Sequence, residues 1–137
     1  MDLAGLSDDA SIAESARLLQ RIPPWHFVYD SNSQRWRPSS AAFDNDSDDT
    51  PMSVMIESIV VDSGRLPDAV LKGLPGFALA TIPAGLAREC AQGVARDPIH
   101  DEPAHALVFG EKPRSVQRKL AKGSAWVVPP PTNSQSG

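Results

Sequence analysis

Thr50-Pro51-Met52-Ser53-Val54-Met55-Ile56-Glu57-Ser58-Ile59-Val60-Val61-Asp62 carries two periods at once, and the choice between them decides how much of the chain is sheet. At the helical period, Met52, Met55, Ile56, Ile59 and Val60 share one face. Thr50 can cap such a helix, Pro51 suits its first position and Gly64 can close it. The β-branched residues of Val54-Met55-Ile56 and Ile59-Val60-Val61 favour an extended chain instead. Cap, proline and apolar face agree with one another, so the sequence predicts a helix over 50–62.

Towards the N-terminus, Ile12, Ala16 and Leu19 recur at helical spacing, with Asp8 and Asp9 early and Arg17 and Arg21 late. This predicts a helix over 8–22, ended by Pro23 and Pro24. Trp25-His26-Phe27-Val28-Tyr29 is aromatic and β-branched, and the polar Asp30-Ser31-Asn32-Ser33-Gln34 joins it to Arg35-Trp36-Arg37 as a β-hairpin. Ser39-Ser40-Ala41-Ala42-Phe43 is expected to continue as an edge strand after Pro38. The acidic Asp44–Asp49 stretch is expected to be an exposed loop.

Towards the C-terminus, the expected order is a short helix over 67–72, a strand over 77–82, a helix opened by Pro83 and running to Ala91, and a short strand over 94–96. A strand over 105–109, a helix over 115–122 and a strand over 126–128 complete it. The expected fold is one α+β domain over 8–128, a small mixed or antiparallel sheet with three or four helices packed on it. Its expected core is Ile12, Leu19, Phe27, Trp36, Ile56, Ile59, Leu71, Leu79, Leu86, Leu107 and Val127. Residues 1–7 and the Pro/Ser-rich 129–137 lack the apolar side chains to order them and are expected to be disordered.

The 137 residues suit one core, and 41% hydrophobic with 22% charged residues is an ordinary globular balance. No run approaches the roughly 20 apolar residues of a membrane helix, and the opening Met1-Asp2-Leu3 lacks the positive charge of a secretory signal. A cytoplasmic setting without membrane partners is therefore expected. Cys90 is the single cysteine, which excludes an internal disulfide and a multi-thiolate metal site within one chain. A net charge of -4 disfavours global attraction to nucleic acid, so any anion site must be a local basic patch.

Three groups of residues can carry chemistry. The first is His26 with His105, since two strand histidines converging across a sheet can act as general base and general acid. His26-Phe27-Val28 and His105-Ala106-Leu107 resemble the strand motifs of the two-histidine phosphoesterases, with Val28 and Leu107 where that family places hydroxyls. The resemblance implies a phosphoesterase-like or nucleotide-processing enzyme as one reading.

The second group is Arg35-Trp36-Arg37-Pro38-Ser39-Ser40. Two guanidinium groups on one strand face, with the hydroxyls of Ser39 and Ser40 adding donors, suit a phosphate or carboxylate. This leads to a non-enzymatic accessory or binding protein that recognises a protein partner or a small anionic ligand. The third group is the basic row Arg114, Arg118 and Lys122 on the last helix, which can meet an acidic partner or nucleic acid phosphates.

The acidic stretches point elsewhere. His100-Asp101-Glu102-Pro103-Ala104-His105 sets its histidines five apart across a proline, unlike the four-residue spacing of a zinc helix, and Asp44–Asp49 lacks the glycine and terminal glutamate of a calcium loop. No metal site, Gly-rich phosphate loop or cofactor motif is expected from them. Arg35–Phe43, Met52-Ser53-Val54 and Pro103–Val108 together resemble short bacterial cytoplasmic proteins of no assigned function, which implies a bacterial setting and no activity.

Overall fold

The computed structural model describes residues 5–131. Arg17–Ile22, expected inside a helix, is strand β1, and it lies at the interior of a six-stranded sheet. The further elements are β2 (Phe27–Asp30), β3 (Arg35–Pro38), β4 (Met52–Ile56), α1 (Glu57–Asp62), β5 (Ala78–Pro83) and α2 (Ala84–Glu89). After them come β6 (Gly93–Arg96), β7 (His105–Phe109), α3 (Arg114–Lys122) and β8 (Ala125–Val128). The large sheet runs β6-β7-β4-β1-β5-β8, and β2 pairs with β3 as a separate hairpin. Every ladder is antiparallel. The chain is thus α+β as expected, with a larger sheet than expected.

Two helical expectations fail for the same physical reason. β1 is buried on both faces: Leu18 and Ile22 pack into one core and Leu19 into the other, each fully buried. A strand covered on both sides loses the apolar-polar alternation, and its neighbouring leucines mimic helical spacing. β4 behaves likewise, with Met52, Val54 and Ile56 in one core and Met55 in the other. Helix α1 therefore starts only at Glu57, and Thr50 closes a tight bridge with Ser47 instead of capping a helix. The expected edge strand over 39–43 is a 3-10 turn, Ser40–Phe43, because the Ser39 hydroxyl accepts from the Ala41 amide and turns the chain after Pro38.

On one face of the sheet α2, α3 and the 3-10 turn enclose Phe43, Leu120 and Ala87. On the other, α1 and a second 3-10 turn, Pro67–Leu71, supply Val60 and Val70. Of the expected core, Ile12, Leu19, Ile56 and Leu79 are buried and Phe27, Ile59, Leu71, Leu86 and Val127 pack at its margins. Trp36 and Leu107 are only half-buried. The hairpin is pinned to the first face by the Trp126 indole N–H, which donates to the Trp36 carbonyl at 3.0 Å, and by Phe27 set edge-on to Trp126.

The chain before β1 is not helical but wraps the sheet margin. The Asp9 amide donates to the Val94 carbonyl at 2.8 Å, and the Asp8 carboxylate accepts from the Val94 amide at 2.9 Å. Arg88 of α2 holds the same segment through Asp8 and Glu14. Of the two terminal expectations, residues 1–4 and 132–137 lie outside the described residues, and Pro130 is buried. Among the described residues no helix is long and apolar enough to cross a membrane.

Candidate functional site

Pro38 ends β3, and the Ser39 cap then swings the 3-10 turn across the sheet so that it packs against α3. Phe43 anchors the turn and Leu120 anchors the helix, both fully buried, while Gln20 donates from its buried amide to the Ala42 carbonyl at 2.8 Å. These contacts fix two walls of a surface groove. It has a volume of about 400 Å3 and is lined by Arg37, Pro38, Ser40, Arg118, Ala121 and Lys122. Three cationic side chains and one hydroxyl thus border an apolar floor with no carboxylate among the lining residues.

The cations of this groove are largely uncommitted. Arg37 is about half exposed, 52% by side chain, and its one ion pair among the described residues is with Asp30 at 3.9 Å, the outer limit of such a contact. Arg118 and Lys122 are exposed and make no ion pair among the described residues. Like charges gathered without counter-charge favour an anion, and two guanidinium forks can receive it bidentately.

The residues singled out in the sequence divide on this geometry. Arg37 and Ser40 line the groove, Arg35 stands exposed on the same strand face outside it, and Ser39 spends its hydroxyl on the turn. Arg118 and Lys122, read as a separate basic row, form its opposite wall, with Arg114 exposed one helical step further on. That the hairpin and the last helix share one site has no local sequence signal, since about eighty positions separate them and only packing of the turn on α3 joins them.

His26 and His105 are not partners. His26 sits in a 3-10 turn, Pro24–His26, at the entrance of the hairpin, with its Nδ1 buried and without a hydrogen-bond partner. His105 opens β7, and its Nδ1 faces the Asp97 carbonyl at 3.0 Å and carboxylate at 3.1 Å. It stands opposite Met55, on the sheet face away from the hairpin. Neither lines the cationic groove.

A second cavity, of about 460 Å3, is acidic, lined by Asp44, Asn45, Asp46, Ser47, Asp48, Glu111 and Lys112. Its counter-charge is internal. Lys112 is buried, and its ammonium donates to Asn45 Oδ1 at 2.5 Å, the Val108 carbonyl at 2.8 Å and the Gly110 carbonyl at 3.4 Å. Burial pushes its pKa down to about 8, against the pull of Asp44 and Asp46. With all three N–H bonds used, Lys112 acts as a clamp on the acidic loop.

Glu102, in the acidic stretch before β7, is also committed. Glu102 receives a bidentate pair from Arg65, both bonds 2.8 Å, which holds its carboxyl below the usual range. Among the described residues no group of three or more His, Cys, Asp or Glu is arranged to hold a metal ion. No family model matches the chain, and neither a curated protein nor a solved structure matches it significantly.

Proposed function

We propose that this is a non-enzymatic binding protein that holds an anionic group of a partner protein or small ligand between β3 and α3. The observation that carries the reading is the meeting of Arg37, Ser40, Arg118 and Lys122 on one groove without a lining carboxylate. Catalytic geometry is not needed for such a role, only donors and charge. The alternative, a phosphoesterase working through His26 and His105, has weaker support, since one histidine is held by Asp97 and the other lies at the hairpin entrance. The resemblance to short bacterial cytoplasmic proteins supports a bacterial cytoplasmic setting for the binding role.

The test is titration of the labelled protein with inorganic phosphate, followed by amide chemical shifts. Shifts are expected at 37–40 and 118–122, and they should weaken as salt rises. Arg37→Ala combined with Arg118→Ala is expected to abolish them, while exposed substitutions of this kind change stability within about 0.5 kcal/mol each. Unchanged shifts in that variant, or perturbations centred on His26 and His105, would remove the reading.

A further inference from the structure

The groove does not stand alone on α3. Arg114, Arg118 and Lys122 are exposed at successive four-residue steps. An α-helix rises about 1.5 Å per residue, so these cations are spaced about 6 Å apart along the axis. An extended peptide advances about 3.3 Å per residue and shows alternate side chains on one face, a repeat of about 6.6 Å. The two spacings match over the two steps between these three cations, and the drift of about 40° per helical step is within reach of long cationic side chains.

Local helix stability accounts for Lys122, in the last turn where the helix dipole favours a cation, but not for the whole row. Arg114 is the first residue of α3, where the helix dipole is positive and a cation is disfavoured. The row is also short. It is bounded at its N-terminal end by Glu111 and the acidic cavity around Asp44, Asp46 and Asp48, which would repel a polyanion running further. No aromatic side chain lines the groove, whereas single-stranded nucleic acid needs faces on which bases stack.

We infer that the partner presents an extended acidic segment, laid along α3 with alternate carboxylates against Arg114, Arg118 and Lys122 and a further contact to Arg37 across the groove. This rests on the anion-binding reading of the groove and adds the partner's chemistry and register. Recognition is by peptide extension: the match of repeats selects alternating acids over the same acids in a block.

Fluorescence anisotropy of the full chain with two labelled heptapeptides of equal composition tests it. One alternates four glutamates with three threonines, and the other places the four glutamates together. The alternating peptide is expected to bind at least tenfold more tightly. Arg114→Ala should weaken it three- to tenfold while leaving the phosphate-induced shifts at 37–40 and 118–122 in place. Equal affinity for the two peptides, with those phosphate shifts intact, overturns the inference and spares the anion-binding reading. Failure of phosphate and both peptides to bind removes both. Tighter binding of an oligothymidylate than of the alternating peptide overturns the inference in favour of nucleic acid.

Discussion

Ala91 holds a φ of +63° immediately after α2, in the left-handed region where side chains other than glycine and asparagine are rarely found. Its amide donates to the Arg88 carbonyl and that of Gln92 to the Ala87 carbonyl, both at 3.0 Å, the paired bonds of a Schellman ending. Ala91→Gly is expected to raise stability by about 0.5–1 kcal/mol, measured as a shift in denaturant midpoint at constant slope. Lys112 is the other residue whose environment decides a measurable property. Its folded pKa of about 8 lies below the ordinary 10.5, so between these values the unfolded chain keeps a proton that the folded chain has released. Stability is therefore expected to rise from about pH 8 towards pH 10.5, by at most about 3 kcal/mol, and to carry the full burial cost below pH 8. Urea unfolding at several pH values checks this, because Lys112→Met should remove that slope while leaving the Asn45 and Val108 acceptors without their donor.

Elements bracketed by proline or glycine at both ends were legible, even β5 with cores on both its faces, and the two doubly covered strands marked at one end alone were not. Pro83 opens α2, Gly123 follows α3, and Pro103 and Gly110 bracket β7, each within a residue or two of its sequence reading. β1 is marked only at its end, by Pro23, and β4 only at its start, by Pro51, and the cores on both their faces erase the alternation by which a strand is recognised. The groove was half legible for a related reason: charge marks each wall, but the pairing of the walls depends on how a 3-10 turn packs on α3. One glycine shows a further requirement invisible in the chain. A Cβ on Gly93 in β6 would collide with the Phe109 ring across the ladder, so the ring lies over a position that only glycine leaves empty. Gly93→Ala is expected to cost about 1–3 kcal/mol by displacing that ring, read by thermal or chemical unfolding and by changed aromatic shifts for Phe109.

At the scale of the molecule, both outer strands of the large sheet are partly guarded. Asp8 and Asp9 occupy the backbone groups of Val94 on β6, and the hairpin reaches β8 through Trp126. A guarded edge limits pairing with other chains, and the proposed binding groove between α3 and β3 relies on side chains instead. The placement of β1 between β4 and β5 has a consequence in time. Its partners in β5 lie about sixty residues downstream, Arg17 opposite Pro83 and Ile22 opposite Ala78. During synthesis the first strand can pair with β4 first, but its other edge waits unpaired until Ala78–Pro83 has left the ribosome. Closing so long a loop delays the step that creates the interior. Refolding from urea is therefore expected on the millisecond-to-second scale of non-local β topologies, and Leu19→Ala should slow it, as followed by stopped-flow tryptophan fluorescence. A nascent chain halted before Ala78 should be held by chaperones or degraded, whereas one halted after Val128 should resist proteolysis while still tethered.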